Sequence, residues 1–211
     1  MFSLNKKQLF YLLKSKLALV LMLLFIGVSV SFQSTSIHKK EVTIYIQPLG
    51  NIDPDCLEYI KKSIIDFYGS KCVIKPKIEL TSDLLAGSKT RYEANKILAK
   101  YKSSSNVLLI TEKDIAHRKS AQYPEWGIFG LGYRPGKTCV ISTFRLKRNV
   151  SNQQMLVRLK KVALHEIGHN LGLSHCTHNK ECMMNDADGT IKQVDREKIW
   201  FCEKCWAILN R

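Results

Sequence analysis

His165-Glu166-Ile167-Gly168-His169-Asn170-Leu171-Gly172-Leu173-Ser174-His175-Cys176 is the stretch that decides the architecture of this 211-residue chain. An α-helix turns once in about 3.6 residues, so His165 and His169 project from the same face and can bind one metal ion. Glu166 directly follows the first histidine and can reach a water molecule on the open side of that metal. The spacing therefore predicts two imidazole ligands and a general base on one helix.

Gly172 and His175 extend this pattern beyond the helix. A glycine three residues after His169 can take a positive φ without steric cost, end the helix and turn the chain back. His175 is then expected as a third ligand, and three histidines with one open position are typical of a catalytic zinc site. Amphipathic helices also carry His-Glu-x-x-His by chance, but the added glycine and histidine favour a metal site over histidines of the core.

Four cysteines follow at the spacing of a second metal site. Two close pairs separated by a spacer fit a tetrahedral thiolate site for zinc, namely Cys176, Cys182, Cys202 and Cys205. The alternative is disulfide bonding, since thiols outside the cytoplasm tend to oxidise, although zinc bound during folding would protect them. Of the other cysteines, Cys56 and Cys72 are either bonded to each other or buried as free thiols, and Cys139 is expected in the core.

Taken together, these residues resemble the archaemetzincins, a family of metzincin-clan zinc metallopeptidases. The family pattern is His-Glu-x-x-His-x-x-Gly-x-x-His-Cys, then Cys-x-Met, seventeen residues and Cys-x-x-Cys. Here Cys182-Met183-Met184 supplies Cys-x-Met, and residues 185–201 supply the gap. Five residues separate Cys176 from Cys182, one more than in the commonest form of the pattern, and His178 within that loop is a spare candidate ligand. Strand sequences similar to those of the family lie at residues 111–114, 129–130 and 140–146.

The resemblance implies a function and a set of site residues. It implies hydrolysis of peptide bonds in peptides or proteins, by an endopeptidase or aminopeptidase that binds two Zn²⁺, one catalytic and one structural. Glu166 would be the general base, and Met184, with Met183 as the alternative, would be the methionine-turn residue beneath the catalytic metal. An edge strand would pair with the substrate backbone, and this strand corresponds to Phe129, Gly130, Leu131, Gly132 and Tyr133. By itself, that stretch indicates only a glycine-rich hairpin.

Residues 1–37 have the composition of a leader. Lysines 6, 7, 14 and 16 precede an uncharged stretch whose strongly apolar part runs from Leu17 to Val28. A positive segment, a short apolar segment and small residues beyond it are typical of a secretory signal peptide. The run is shorter than the about 20 residues of a spanning helix, and an uncleaved membrane anchor over residues 17–32 is the alternative. We therefore expect an exported protein, periplasmic or extracellular, with or without membrane attachment.

The remaining residues, 38–211, suit one domain with a sizeable core. Alternating apolar residues predict strands over 41–47 and 72–80, and helical periodicity predicts helices from Asp53 to Gly69 and over 91–102. Residues 106–111 form a continuous apolar run typical of a buried strand. The order strand, helix, strand, helix, strand predicts an α/β domain with a twisted, mostly parallel sheet. With the resemblance, the expected fold is a compact metzincin-like domain with a Cys-rich, zinc-bound C-terminal subdomain.

Three further elements complete the predicted architecture. Residues 126–133 are expected to form an irregular antiparallel edge strand, paired as a hairpin with residues 138–146. Ser151 or Asn152 is expected to cap the long helix that carries the histidines. The last helix is predicted to start near Asp195 and to carry both Cys202 and Cys205 on one face.

The charge of the chain favours no particular macromolecular partner. The formal net charge is +15, and four of these charges belong to residues 1–37. The remaining lysines are scattered rather than interleaved with aromatic residues, so we expect a solvated basic surface and no nucleic-acid binding. Two other functions stay open, a catalytically silent zinc-binding module and a basic, membrane-anchored binding protein. A monomer is expected.

Overall fold

A five-stranded sheet lies at the centre of the computed structural model, which describes residues 42–210. Its strand order is β2-β1-β4-β8-β7. The first four strands are parallel and β7 is antiparallel to β8, as the sequence predicts. The bounds are Thr43–Leu49 for β1, Lys71–Ile74 for β2, Asn106–Thr111 for β4, Gly130–Gly132 for β7 and Thr138–Ser142 for β8. The predicted leader lies outside the described residues.

Helices cover both faces of this sheet, because its central strands are apolar on both sides. The three helices that cover it are α1 (Pro54–Tyr68), α2 (Ala94–Lys100) and α3 (Asn152–Asn170). Leu108, Ile110 and Ile141 pack in one core cluster with residues of α1 and α3. The alternate residues Leu109 and Val140 pack in a second cluster with α2. Sheet and helices thereby bury the strands on both sides and fix the position of α3.

Both long helices begin and end where the sequence predicts. The carboxylate of Asp53 accepts a hydrogen bond from the Asp55 amide at the start of α1, and Gly69 ends it with a φ of 63°. Ser151 caps α3 by accepting from the amide of Gln154. The short helix α2 begins three residues later than predicted, because the amide of Tyr92 instead bonds the carbonyl of Asp114, 2.9 Å away.

The predicted strand over residues 126–133 is wrong as a single element. It divides at Phe129 into β6 (Trp126–Ile128) and β7, and β6 belongs to a separate three-stranded sheet of order β3-β5-β6. The other strands of that sheet are β3 (Tyr92–Glu93) and β5 (Ile115–His117). The division follows from pairing, because β6 is antiparallel to β5, whereas β7 is antiparallel to β8.

The single final helix predicted from Asp195 is also wrong. Two short helices, α4 (Ile191–Arg196) and α5 (Glu203–Leu209), are separated by an extended segment. The carbonyl of Trp200 in this segment accepts from the amide of Met183 at 2.9 Å, which draws the chain back towards the histidines. Cys202 consequently precedes α5 as its N-cap residue, and only Cys205 lies within the helix.

Two smaller findings complete the fold. The predicted strand over residues 72–80 is shorter, since β2 ends before Pro76 and Ile78 forms only an isolated bridge to Leu49. Within residues 42–210, none of the helices has the length and apolar character needed to cross a membrane. Export or anchoring through residues 17–32 stays a prediction.

Candidate metal centre and active-site cleft

The three motif histidines converge. One ring nitrogen from each of His165, His169 and His175 lies within 4.8 Å of the other two. The Nε2 atoms of His169 and His175 are 3.2 Å apart. Tetrahedral zinc with Zn–N bonds of about 2.0–2.1 Å places its nitrogen ligands about 3.3–3.4 Å from one another. The observed spacing therefore fits a zinc ion.

Backbone carbonyls orient the two helical imidazoles. The Nδ1 atom of His165 lies 2.7 Å from the carbonyl oxygen of Met183, and that of His169 lies 2.7 Å from the carbonyl oxygen of Leu173. An Nδ1–H that donates to a carbonyl leaves Nε2 as the free ligand atom. Burial lowers the pKa of His165 to about 3 and also lowers the pKa of His169. Both shifts favour the neutral imidazole, the form that binds metal.

Gly172 brings the third histidine to this point. The helix ends at Asn170, and Gly172 adopts the predicted positive φ, 104°. The amide of Leu173 then donates to the Gly168 carbonyl at 2.9 Å, which folds the chain back beneath the helix. His175 follows as an exposed residue whose Nδ1 lies 3.5 Å from the Asp186 carboxylate.

Glu166 is buried between the helix and strand β7. An added Cβ at Gly130 would lie 2.6 Å from Glu166 Oε1, and one at Gly132 would lie 2.8 Å from the Glu166 carbonyl oxygen. Burial raises the pKa of Glu166 to about 8, although a hydrogen bond from the Gly132 backbone opposes this rise. The two glycines thus provide the space for the carboxylate. Their spacing is a signal that sequence reasoning missed, because alternate residues of a strand share one face.

Met184 packs beneath the same helix. Its side chain is fully buried, and a Cβ added at Gly168 would lie 2.7 Å from Met184 Sδ. The Met184 carbonyl accepts from the amide of Cys176 at 2.7 Å. Met183 is also fully buried, but its carbonyl is the group that orients His165. No pattern of residues predicts this backbone role.

The four predicted cysteines form a buried tetrad. The Sγ atom of Cys202 lies 3.6 Å from Cys176 Sγ and 3.6 Å from Cys205 Sγ. The Sγ atoms of Cys182 and Cys205 are 3.8 Å apart. Tetrahedral zinc with Zn–S bonds of about 2.3 Å requires sulfur separations of about 3.8 Å, whereas a disulfide requires about 2.05 Å. The tetrad fits zinc and contains no disulfide.

The other predicted ligands and cysteines stand apart from these groups. His178 is exposed and belongs to neither the histidine group nor the cysteine tetrad. Cys56, Cys72 and Cys139 are buried free thiols. Burial raises the pKa of Cys56 and of Cys72 to about 11, so both are protonated thiols near neutral pH.

A cleft of about 550 Å³ runs past the histidines. Its walls include Phe129, the residues of β7 and residues 185–189. Tyr133, the last residue of the predicted substrate strand, does not line the cleft and is about half exposed. Walls and histidines together form a groove that can hold an extended peptide beside a metal.

Comparison with known proteins identifies the family. A profile of peptidase family M54 matches residues 60–211. Archaemetzincin from Methanocaldococcus jannaschii is 33% identical over 168 residues, which cover 77% of this chain and 89% of the relative. The chain belongs to the archaemetzincin family. Archaemetzincin from Archaeoglobus fulgidus is 30% identical over 162 residues, which cover 77% of this chain and 95% of the relative.

Solved archaemetzincin structures have the same fold. The crystal structure of the Archaeoglobus fulgidus archaemetzincin complexed with malonate has a TM-score of 0.70 and 28% identity, over 79% of this chain and 99% of the other. The Methanopyrus kandleri archaemetzincin also has a TM-score of 0.70, at 23% identity, over 82% of this chain and 96% of the other. The predicted α/β metzincin-like fold is confirmed. Membership of the archaemetzincin family makes this chain a zinc-dependent metallopeptidase.

Proposed function

We propose that the chain hydrolyses peptide bonds with Glu166 as the general base and binds two zinc ions. His165, His169 and His175 would hold the catalytic ion, and the cysteine tetrad the structural one. The observation that carries this proposal is the burial of Glu166 against β7, one residue from the convergent histidines. A buried carboxyl group that lines the cleft is positioned, once ionised, to act on a reacting water.

The free edge of β7 supports a role in substrate binding. Strand β7 ends the five-stranded sheet and pairs with β8 on one side only. Within residues 42–210 no strand pairs with its other edge, so backbone groups of β7 other than the Gly132 amide, which donates to Glu166, can pair with an extended peptide. Because the same strand packs on Glu166, a peptide held there would lie with its backbone beside the carboxylate.

The residues of this chain then divide the reaction between them. Zinc, when bound by the three histidines, supplies Lewis-acid chemistry that polarises a carbonyl group and acidifies water. Glu166 would accept a proton from the attacking water and return it to the departing amine. The backbone of β7 would hold the substrate in register, and the carbonyls of Met183 and Leu173 would keep the imidazoles oriented.

The experiment compares zinc content and peptide hydrolysis in matched variants of the full chain. Elemental analysis should find two zinc ions in the parent and one in the triple variant His165→Ala, His169→Ala, His175→Ala. Glu166→Gln should retain both ions and lose hydrolysis of a peptide library, whereas Glu58→Gln, on the exposed face of α1, should retain activity.

Two results would refute the proposal. One zinc ion in both the parent and the triple variant would show that the histidines hold no metal. Hydrolysis that survives Glu166→Gln would exclude this residue as the general base. A parent with two ions and no hydrolysis of any library peptide would instead indicate a silent zinc-binding module.

A further inference from the structure

A buried recess opens from the cleft between helices α3 and α4. Lys161 and Val162 line it from α3, and Val194 and Glu197 line it from α4 and its end. All four residues are buried, with exposures between 3% and 7%. Val162 precedes His165 by three residues and therefore shares its face of the helix. The recess thus lies one helical turn from the first histidine.

Glu197 is the polar group of this recess with unused capacity for hydrogen bonds. It follows α4, and its amide donates to the Gln193 carbonyl at 3.1 Å. Within residues 42–210, the Gln193 side chain is the only hydrogen-bond partner of its carboxylate, donating to Oε1 at 3.2 Å. A carboxylate offers about four acceptor positions. Burial raises the pKa of Glu197 to about 7, although the Gln193 bond and the charge of Lys161 lower it.

Lys161, the other charged residue of the recess, already has hydrogen-bond acceptors. Its ammonium donates to the carbonyls of Val194 at 2.7 Å and Asp195 at 3.2 Å. These carbonyls lie at the carboxyl end of α4, where a cation is favoured. The Asp195 carboxylate in turn accepts two bonds from Arg158, both 2.7 Å long. Lys161 and Arg158 therefore hold α4 against α3. Of the two charged side chains that line the recess, only the Glu197 carboxylate has acceptor positions left for a ligand.

We propose that Glu197 determines substrate specificity by binding the side chain of a lysine or arginine residue of the peptide within this recess. Val162 and Val194 provide apolar walls for the methylene stem, and the carboxylate accepts from the cationic end. Lys161 acts on this carboxylate through its charge, but none of the ion pairs among residues 42–210 includes Glu197, so a substrate cation would be its direct partner. This inference rests on the proposed peptidase function, because the recess opens beside the histidines that would hold the catalytic metal.

The first test measures kcat/KM for the full chain with matched fluorogenic peptides. Two series of peptides are compared. In one series the residue before the cleaved bond is lysine, norleucine or glutamate, and in the other series the residue after that bond is varied in the same way. The parent should prefer lysine to norleucine by about tenfold or more, the usual scale of a hydrogen bond to a charged group. Glu197→Gln should reduce this ratio to near one, and the exposed control Glu58→Gln should leave it unchanged.

The second test measures binding without turnover. Calorimetry of the same peptides with Glu166→Gln should show the lysine preference, and Glu166→Gln combined with Glu197→Gln should abolish it. If the parent hydrolyses no peptide but this binding preference is found, the recess is supported and the peptidase proposal fails. A preference for norleucine, or a lysine preference that survives Glu197→Gln, would overturn the inference. A preference for glutamate would overturn it as well and assign the recess to Lys161.

Discussion

The contact between Gly130 and Glu166 can be tested by adding one methyl group. A Cβ at Gly130 would lie 2.6 Å from Oε1, 2.7 Å from Cγ and 2.9 Å from Cδ of Glu166. Non-bonded heavy atoms prefer separations of about 3.5–4.0 Å, so the side chain must move by about 1 Å. Because Cγ is among the atoms in conflict, rotation of the terminal carboxylate alone cannot relieve the overlap.

The expected result of Gly130→Ala is a large loss of activity with a smaller loss of stability. A displacement of about 1 Å in a catalytic group can cost about 100-fold in rate, so kcat should fall by about that factor. Overpacking of this kind costs about 1–3 kcal/mol in the free energy of unfolding. Peptide hydrolysis at saturating substrate, zinc content and urea unfolding would be measured on the same preparation.

A matched glycine provides the control. A Cβ at Gly87 would lie 3.6 Å from Glu125 Oε1, which is an ordinary contact distance. Gly87→Ala should therefore keep activity and stability close to those of the parent. The reasoning fails if Gly130→Ala is folded, retains its zinc and keeps kcat within about threefold of the parent. A rise in KM without a fall in kcat would instead indicate that the methyl group obstructs the peptide on β7.

Three further substitutions test the cysteine tetrad, the ion pair of Arg158 with Asp195, and the burial of Glu197. Cys205→Ser should reduce the zinc content by one ion per chain, measured by elemental analysis, because the tetrad loses a thiolate ligand. Arg158→Met should lower the free energy of unfolding by about 2 kcal/mol in urea, since it leaves the partly exposed Asp195 unpaired. Burial raises the pKa of Glu197 from 4.5 to about 7. Between these two values this group is ionised in the unfolded chain and protonated in the folded chain, so the free energy of unfolding falls as the pH rises. Glu197→Gln should therefore stabilise the chain by up to about 3 kcal/mol at pH 8.5 and have little effect near pH 4.5, measured by urea unfolding at each pH.

The sequence predicted those elements whose local pattern matches their environment. Residues 106–111 form β4 within the predicted bounds, because a strand buried on both faces must be apolar throughout. Asp53 and Gly69 delimit α1, since capping depends on residues next to the helix ends. The convergence of the three histidines and of the four cysteines was also predicted, because their spacing along the chain suits helix geometry and metal-ligand chemistry.

The errors fall where distant contacts decide the local conformation. The strand over residues 126–133 divides because residues 126–128 pair with β5 and residues 130–132 pair with β8. The last helix is interrupted because the Trp200 carbonyl bonds Met183, seventeen residues earlier in the chain. Neither partner can be inferred from the periodicity of the segment that it disrupts.

Residues 182–184 connect the histidine group and the cysteine tetrad. Cys182 belongs to the tetrad, the Met183 carbonyl orients His165, and the Met184 carbonyl accepts from the amide of Cys176. A shift of this short segment would therefore move a cysteine of the tetrad and rotate an imidazole together. Because Met184 also packs on Gly168, between the two helical histidines, the segment has little freedom to move unless α3 moves as well. The cysteine tetrad thus does more than stabilise the end of the chain: it fixes the backbone that sets the orientation of the first histidine.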